Sequence, residues 1–246
     1  MLLFGSRDPN WLSNSWLVAD RDGGDAFLID SGAPTTEIQS FISSHELNLK
    51  YVLCTHHHLD HVVHNDFYRD EYSCPVCIHS AEASLVKGDV LELSDKQIFK
   101  SGDLEVKCLH VPGHTKGQMS FLINEEYLFT GDTLFQNSVG GTRGPGHSTF
   151  ENLQSSILNI LLDFPPSTLI YPGHMNPTTV GDEIEKNPFI RAWTGRDKVL
   201  SQKCLYRGDS VRMLLRARDY DGGSKCWIEH SDGQQDVVPG SQVINL

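Results

Sequence analysis

The stretch that begins at residue 55 reads Thr55-His56-His57-His58-Leu59-Asp60-His61. His56 and His58 stand two positions apart, so on an extended segment both imidazoles point the same way and can bind one ion. His57 would then point away from that ion. If a helix begins near Asp60, Asp60 and His61 can serve a second ion beside the first. Imidazole and carboxylate donors suit zinc, iron or manganese better than calcium, and the alternative is a solvated histidine-rich loop.

Three further candidate ligands each follow a short apolar run and stand next to a glycine. They are His114 in Val111-Pro112-Gly113-His114, Asp132 in Phe129-Thr130-Gly131-Asp132, and His174 in Tyr171-Pro172-Gly173-His174. Side chains at the ends of strands in one sheet can converge on one edge, where α/β folds usually place their sites. A single Gly-His or Gly-Asp pair carries no weight, but four such elements in one chain are hard to assign to packing. The sequence therefore predicts one metal centre built from four loops.

Outside these motifs, short apolar runs alternate with helical segments, which predicts an α/β layered fold. The clearest predicted helix covers residues 148–164, with Ser148 and Glu151 as a capping box. Near the C-terminus the pattern changes to short strands and turns. We therefore expect a main domain over residues 1–197 and a small all-β unit over residues 198–246 that docks on it.

The composition supports a folded, acidic protein and argues against some partners. Hydrophobic residues make up 39% of the 246 residues, and 32 acidic against 20 basic residues give a formal charge of −12. Such a surface repels polyanions, so nucleic acid is not an expected partner. No apolar run reaches the ~18 residues that a membrane-spanning helix needs, and the N-terminus shows no secretory signal. We therefore expect a cytoplasmic protein without a membrane partner that acts on a small molecule, with reduced cysteines.

The four motifs taken together resemble the successive motifs of the metallo-β-lactamase superfamily. The matching elements are His56-x-His58-x-Asp60-His61, Gly113-His114-Thr115, Gly131-Asp132-Thr133 and Pro172-Gly173-His174. The resemblance implies the αβ/βα sandwich of that superfamily, in which two mixed sheets lie face to face with helices outside. In this chain the sandwich would carry a small C-terminal β appendage.

The same resemblance implies two divalent metal ions, most readily zinc, with iron or manganese as alternatives. Their ligands would be His56, His58 and His114 for the first ion, and Asp60, His61 and His174 for the second. Asp132 would bridge both ions. Asp30 resembles the aspartate with which this family orients its ligand histidines.

Within the superfamily, the chain most resembles the glyoxalase II (hydroxyacylglutathione hydrolase) branch and the related persulfide dioxygenases. The segments that carry this resemblance are His114-Thr115-Lys116-Gly117, Gly131-Asp132-Thr133-Leu134-Phe135, and Thr178-Thr179-Val180-Gly181-x-Glu183 followed by Asn187-Pro188. The chain departs from glyoxalase II at its C-terminus. That branch usually ends in a helical domain that contributes to glutathione binding, whereas this chain ends in predicted strands.

The predicted reaction is hydrolysis of a small acyl compound, with a thioester as first choice, by a hydroxide that the two ions share. One ion would polarise the carbonyl, and Asp60 would orient the hydroxide, so Asp60 and Asp132 are the predicted catalytic residues. Lys116 and Arg143 are candidates for binding an anionic group of the substrate. The alternatives are a mononuclear iron persulfide dioxygenase, a lactone or β-lactam hydrolase, and a non-catalytic metal-binding protein.

Overall fold

The structure, a computed structural model, describes residues 1–246, and two six-stranded sheets lie at its centre. The first sheet follows the chain in spatial order and consists of β1 (Leu2–Arg7), β2 (Asn14–Ala19), β3 (Asp25–Ile29), β4 (Asn48–Leu53), β5 (Val76–His79) and β6 (Leu91–Leu93). The first three strands pair antiparallel, whereas β3 to β6 run parallel. Parallel neighbours need a crossover connection. The crossovers contain α1 (Thr35–Ser44), α2 (Leu59–Val62), α3 (Asn65–Tyr72) and a 3-10 helix over Ser80–Leu85.

The second sheet is mostly antiparallel. From one edge to the other it consists of β7 (Ile98–Ser101), β8 (Leu104–His110), β9 (Met119–Ile123), β10 (Tyr127–Gly131), β13 (Leu169–Pro172) and β14 (Thr178–Thr179). Only β10 and β13 pair parallel, and the chain between them forms β11 (Leu134–Phe135), β12 (Ser138–Val139) and α4 (Phe150–Asn159). After β14 come α5 (Val180–Lys186) and α6 (Pro188–Trp193). No helix of the chain has the length and apolar character needed to cross a membrane.

Alternation along the strands divides the side chains of each sheet between two layers. In β2, Trp16 and Val18 belong to the cluster between the sheets, while Leu17 and Ala19 pack with Ile38 of α1 on the outer face. The second sheet fills the layer between the sheets with Val106, Cys108, Phe121, Ile123 and Phe129. Its own outer face packs against the helices that follow β12. These layers confirm the predicted αβ/βα sandwich.

Helix α4 is shorter than predicted and begins later. Its N-cap is Thr149, whose hydroxyl accepts a hydrogen bond from the Asn152 amide at 3.2 Å, so the predicted capping box at Ser148 and Glu151 is wrong. The reason is that the Ser148 amide donates to the carbonyl of Gly113, which keeps Ser148 in a loop contact. The helix ends at Asn159 and is followed by a single 3-10 turn.

The C-terminal chain forms the third, antiparallel sheet that the strand and turn pattern predicts. Its strands are β15 (Gln202–Tyr206), β16 (Asp209–Arg218), β17 (Ser224–Glu229), β18 (Gln235–Pro239) and β19 (Val243–Asn245), in the spatial order β18-β17-β16-β15-β19. One face sends Leu214, Trp227 and Val237 into the core cluster that also contains Phe150 of α4 and Phe189 of α6. The other face encloses a separate core of eight buried residues. The β unit therefore docks through a shared core, and the predicted boundary after residue 197 stays a prediction.

Trp227 is the largest side chain that the C-terminal sheet contributes to this contact, and its removal tests how strongly the contact stabilises the fold. Its ring stacks on Phe150 with centroids 5.8 Å apart and meets Trp193 edge-on at 6.3 Å. We expect Trp227→Ala to lower the free energy of unfolding by about 3–5 kcal/mol, because it leaves a cavity in a shared core. Denaturant unfolding followed by circular dichroism measures the change. Ile244→Ala, at a 63% exposed position of the same sheet, is the control and should change stability by less than about 0.5 kcal/mol. Equal effects of the two substitutions would show that the contact contributes little.

Candidate metal centre

Four loops meet at one edge of the sandwich, each directly after a strand. The loop after β4 carries His56 and His58 and runs into α2, where Asp60 and His61 lie. The loops after β8, β10 and β13 carry His114, Asp132 and His174. The structure therefore brings all seven sequence-predicted metal ligands to one place, as expected for residues at strand ends.

The first cluster consists of three imidazoles. His56, His58 and His114 place one nitrogen each within 4.8 Å of the others, and His58 Nδ1 lies 3.0 Å from His114 Nε2. In two of these rings, the nitrogen that faces away from the cluster donates a hydrogen bond to a backbone carbonyl. His114 Nδ1 donates to the carbonyl of Gly141 at 2.8 Å, and His58 Nε2 donates to the carbonyl of Pro145 at 2.9 Å. Each of these two rings therefore directs its other nitrogen into the cluster.

The second cluster lies beside the first, and Asp132 stands between the two. His61 Nε2 and His174 Nε2 are each 3.4 Å from Asp60 Oδ2. Asp132 Oδ1 is 3.4 Å from His61 Nε2, while its Oδ2 is 3.4 Å from His174 Nε2 and 3.6 Å from His114 Nε2. One carboxylate thus contacts histidines of both clusters.

These donors fit a pair of divalent ions. The Nε2 atoms of His56 and His61 and Oδ1 of Asp132 are buried without any hydrogen-bond partner. Buried polar atoms are normally satisfied, and leaving one unsatisfied costs about 1–3 kcal/mol. Ligand atoms about 2.1 Å from a tetrahedral ion lie about 3.4 Å from one another, which is the separation seen around Asp132. A metal ion would satisfy the unpartnered atoms at the spacing that they already have.

Asp30 holds two of the ligand segments. It follows β3 in a left-handed conformation, with φ 56°, and is buried. Its carboxylate accepts hydrogen bonds from the Thr55 amide at 2.7 Å, the Thr55 hydroxyl at 2.8 Å and His61 Nδ1 at 2.8 Å. Burial raises the pKa of Asp30, and the neighbouring His61 opposes that rise. The contact to His61 turns the Nε2 atom of that ring toward Asp60 and Asp132.

The two clusters differ in their charge state when no ion is bound. Burial lowers the pKa of His56, His58 and His114, the last to about 4, so the first cluster is neutral near pH 7. Burial also acts to lower the pKa values of His61 and His174, but Asp132 and other carboxylates outweigh it and raise both. The buried carboxylates therefore favour protonation of those two rings, and a bound cation would compete with the protons.

Glu82 is a buried carboxylate that the sequence did not single out. It lies in the 3-10 helix over Ser80–Leu85. One carboxylate oxygen accepts hydrogen bonds from the His57 amide and from His57 Nδ1, both at 2.8 Å, and the other accepts from the Gly117 amide at 2.7 Å. Glu82 therefore joins the loop that carries His56 and His58 to the loop that carries His114. His57 points away from the cluster as predicted, and toward this residue.

The two predicted substrate-binding residues have different surroundings. Arg143 lies in a glycine-rich loop, and Asp236 of β18 accepts hydrogen bonds from its Nε at 2.7 Å and its Nη2 at 2.5 Å. It lines the cleft beside the metal centre, whereas Lys116 is exposed and does not. Substrate contacts by either residue remain predictions.

The C-terminal sheet forms one wall of this cleft, which has a volume of about 300 Å³. The Tyr220 ring stacks on His174 with centroids 4.0 Å apart and an angle of 14°. Lys225 Nζ is 3.0 Å from the carboxylate of Asp219 and donates to the carbonyl of Val139 at 2.7 Å. No sequence signal predicts these residues at the site, because Tyr220 lies in an apparent turn and Lys225 lies in a strand far from every metal motif.

Glu82→Gln tests the connection between the two ligand loops. Burial raises the pKa of Glu82, but hydrogen bonds from His57 and the Gly117 amide outweigh burial and lower it below its usual value of 4.5. The carboxylate therefore stabilises the fold above about pH 4.5, and this contribution is lost as the pH falls through the lower folded-state value. We expect Glu82→Gln to lower the melting temperature of the metal-free protein at pH 7 through a loss of about 1.5–3 kcal/mol, with a smaller difference from wild type at pH 3–4.

Thermal unfolding over this pH range measures the effect, and metal content at pH 7 gives a second readout. Glu92→Gln, which changes an exposed carboxylate, is the matched control. A stability difference that stays constant from pH 7 to pH 3 would contradict the role given to the Glu82 carboxylate.

Comparison with known proteins agrees with this geometry. The sequence profile of the metallo-beta-lactamase superfamily matches residues 8–174. The chain is 32% identical over 199 residues to the hydroxyacylglutathione hydrolase GloC of Haemophilus influenzae, with 73% of this chain and 93% of the relative covered. It is 31% identical over 180 residues to a probable polyketide biosynthesis zinc-dependent hydrolase of Bacillus velezensis, with 71% and 78% covered.

Among solved structures, the BLEG-1 B3 metallo-beta-lactamase matches with a TM-score of 0.71 and 28% identity, over 77% of this chain and 99% of that chain. The superfamily match ends at His174, so α5, α6 and the C-terminal sheet lie beyond it. The match spans the four ligand loops and most of both central sheets. The chain therefore belongs to the metallo-β-lactamase superfamily.

Proposed function

We propose that this protein is a binuclear metallo-hydrolase that cleaves a small acyl compound, with a thioester as the favoured substrate. The observation that carries the proposal is the position of Asp132, whose two carboxylate oxygens lie 3.4–3.6 Å from histidines of both clusters. A mononuclear centre would need only one of the two clusters. The complete second set of Asp60, His61 and His174 favours two ions.

Each residue of the centre has a distinct task in this proposal. His56, His58 and His114 would hold one ion, Asp60, His61 and His174 the other, and Asp132 both. Nitrogen-rich sites of this kind suit zinc, which also appears in the name of the B. velezensis relative. When bound, such a pair of ions supplies an activated water at neutral pH and polarises the carbonyl to be attacked.

The protein's own groups would orient the reactants. The side chain of Asp60 is 25% exposed, against 8% for Asp132 and 1% for His174, so Asp60 is the more exposed of the two carboxylates of the centre. We assign it the task of accepting a hydrogen bond from the attacking water and fixing its direction. Tyr220 and Phe135 line the cleft beside Asp132 and would exclude bulk water from that side of the centre.

The thioester preference rests on local sequence likeness and on a relative. The segments around His114, Asp132 and Thr178 resemble the glyoxalase II branch, and the H. influenzae relative is named a hydroxyacylglutathione hydrolase. No cysteine lines the cleft, since all six are buried as free thiols elsewhere, so a covalent thiol mechanism has no candidate nucleophile there. The β wall in place of a helical domain suggests a leaving group other than glutathione.

The metal and the reaction can be tested together. Chelation should abolish thioester hydrolysis, and zinc, manganese or iron should restore it. Elemental analysis should show up to two ions per chain, with Asp132→Ala losing most of the second. His58→Ala should lower kcat/KM by several orders of magnitude because it dismantles the first cluster, while His45→Ala, at a surface histidine paired with Asp22, should leave the rate unchanged.

A second assay on the same preparation distinguishes the alternative persulfide dioxygenase activity from thioester hydrolysis. Metal-replete protein is given glutathione persulfide while dissolved oxygen is monitored, and a lactone and a β-lactam are assayed beside the thioester. Oxygen consumption without thioester cleavage would replace the hydrolase proposal with the dioxygenase. Preferential lactone or β-lactam cleavage would keep the hydrolase and change its substrate.

A further inference from the structure

The cleft extends from the metal centre to a part of the C-terminal sheet that the proposed reaction does not use. Asp132 is buried and Arg207 is exposed, and both line the same cleft, so they mark its floor and its mouth. The volume of about 300 Å³ is suited to a small molecule that reaches from one to the other. The mouth therefore contacts whatever part of the substrate lies away from the scissile bond.

Three cationic side chains line this cleft, and two of them are already paired. Arg143 is bound by Asp236, and Lys225 by Asp219. Arg207 has no carboxylate within 4.0 Å, so it is the one of these three cations without an ion-pair partner. On a chain with a formal charge of −12, an unpaired guanidinium at a cleft mouth is a local attractor for an anion.

The local structure holds Arg207 in a defined position. It occupies the turn between β15 and β16 with φ 51°, and Gly208 follows with φ 93°, as in a tight hairpin turn. Its Nε donates to Gln242 Oε1 at 3.1 Å, and its guanidinium lies 5.3 Å from the centre of the Tyr206 ring. Neither Nη atom of Arg207 has a hydrogen-bond partner in the protein, and the side-chain amide nitrogen of Gln242 has none either, so all three are free to donate.

We propose that Arg207 and Gln242 form a carboxylate-binding subsite at the mouth of the cleft. The two free Nη donors of a guanidinium match the two oxygens of a carboxylate, and the glutamine amide adds a third donor. The substrate class is thus a small acyl compound that carries a free carboxylate on the side remote from the scissile bond. The choice of an acyl compound as substrate rests on the proposed hydrolase function, whereas the carboxylate-binding subsite itself does not.

The kinetic test uses two thioesters that differ in one group. The acetyl thioester of 3-mercaptopropionate carries the carboxylate, and that of 3-mercaptopropionamide does not. We expect Arg207→Gln to lower kcat/KM for the carboxylate probe about 10- to 100-fold, mainly through KM, and to leave the amide probe within about twofold of wild type. Arg207→Lys should recover part of the loss. Lys203→Gln makes the same charge change at an exposed position of β15 outside the cleft and should alter neither probe.

A binding test separates the subsite from the reaction. Succinate, glutarate and adipate are titrated into metal-loaded wild type and Arg207→Gln by calorimetry, with butyrate as the monocarboxylate reference. The subsite predicts that at least one dicarboxylate binds wild type about tenfold or more tightly than butyrate and that Arg207→Gln removes this advantage. Equal dicarboxylate affinities in the two proteins would overturn the subsite. Failure of both thioesters to turn over, with the dicarboxylate preference intact, would overturn the proposed reaction and leave the subsite standing.

Discussion

The burial of the Asp132 carboxylate between two groups of imidazoles is the constraint to which the rest of the site conforms. An isolated charge at this depth would be unstable by several kcal/mol, so cationic or protonated partners must surround it. The backbone has to make room for that crowding. At Gly173 a Cβ atom would lie 2.3 Å from Asp132 Oδ1, and at Gly131, with φ 48°, it would lie 2.5 Å from Gln118 Nε2. The glycines that precede the ligands are therefore required by space and by backbone conformation.

A second set of groups, which other parts of the chain supply, orients the imidazoles. In four of the five candidate ligand rings, the nitrogen that faces away from the cluster donates to an acceptor from another part of the chain: Asp30 for His61, the Leu12 carbonyl for His174, and loop carbonyls for His58 and His114. Such contacts fix the tautomer and the direction of a ligand ring. The centre is thus organised by the folded chain before an ion enters, which agrees with donor spacings already close to those of a tetrahedral ion.

The candidate ligands could be predicted because each group follows a short apolar strand. One group is the histidine-rich motif over residues 55–61, and the other three are single donors that stand next to a glycine. Asp30 was identified through the family resemblance. Glu82 was not, since an acidic residue in a helical segment normally faces solvent, and only the tertiary fold brings His57 and Gly117 to it. Tyr220, Lys225 and Arg207 were missed for a related reason. They belong to the C-terminal sheet and its turns. The sequence pattern there predicts the strands, but it does not predict which surface of the main domain the sheet packs against. The N-cap of α4 is Thr149 instead of the predicted Ser148, because a contact from Ser148 to Gly113, distant in sequence, outweighed a local capping preference.

The docked sheet also reaches the metal centre indirectly, through the loop over residues 140–147. Carbonyls of this loop hold His58 and His114 on one side. On the other side of the loop, the Thr142 amide donates to the carbonyl of Val237 in β18, and the Thr142 hydroxyl donates to the carboxylate of Asp236. Because the loop lies between the first cluster and the third sheet, a shift of that sheet would move the acceptors that aim two ligand histidines. The C-terminal sheet lies beyond the superfamily match, which ends at residue 174, and yet it both walls the cleft and supports ligands within the match. The sheet that we propose to contact the substrate is therefore connected to the loop that orients His58 and His114, so a change in the sheet that reshapes the cleft would also disturb these two candidate ligands.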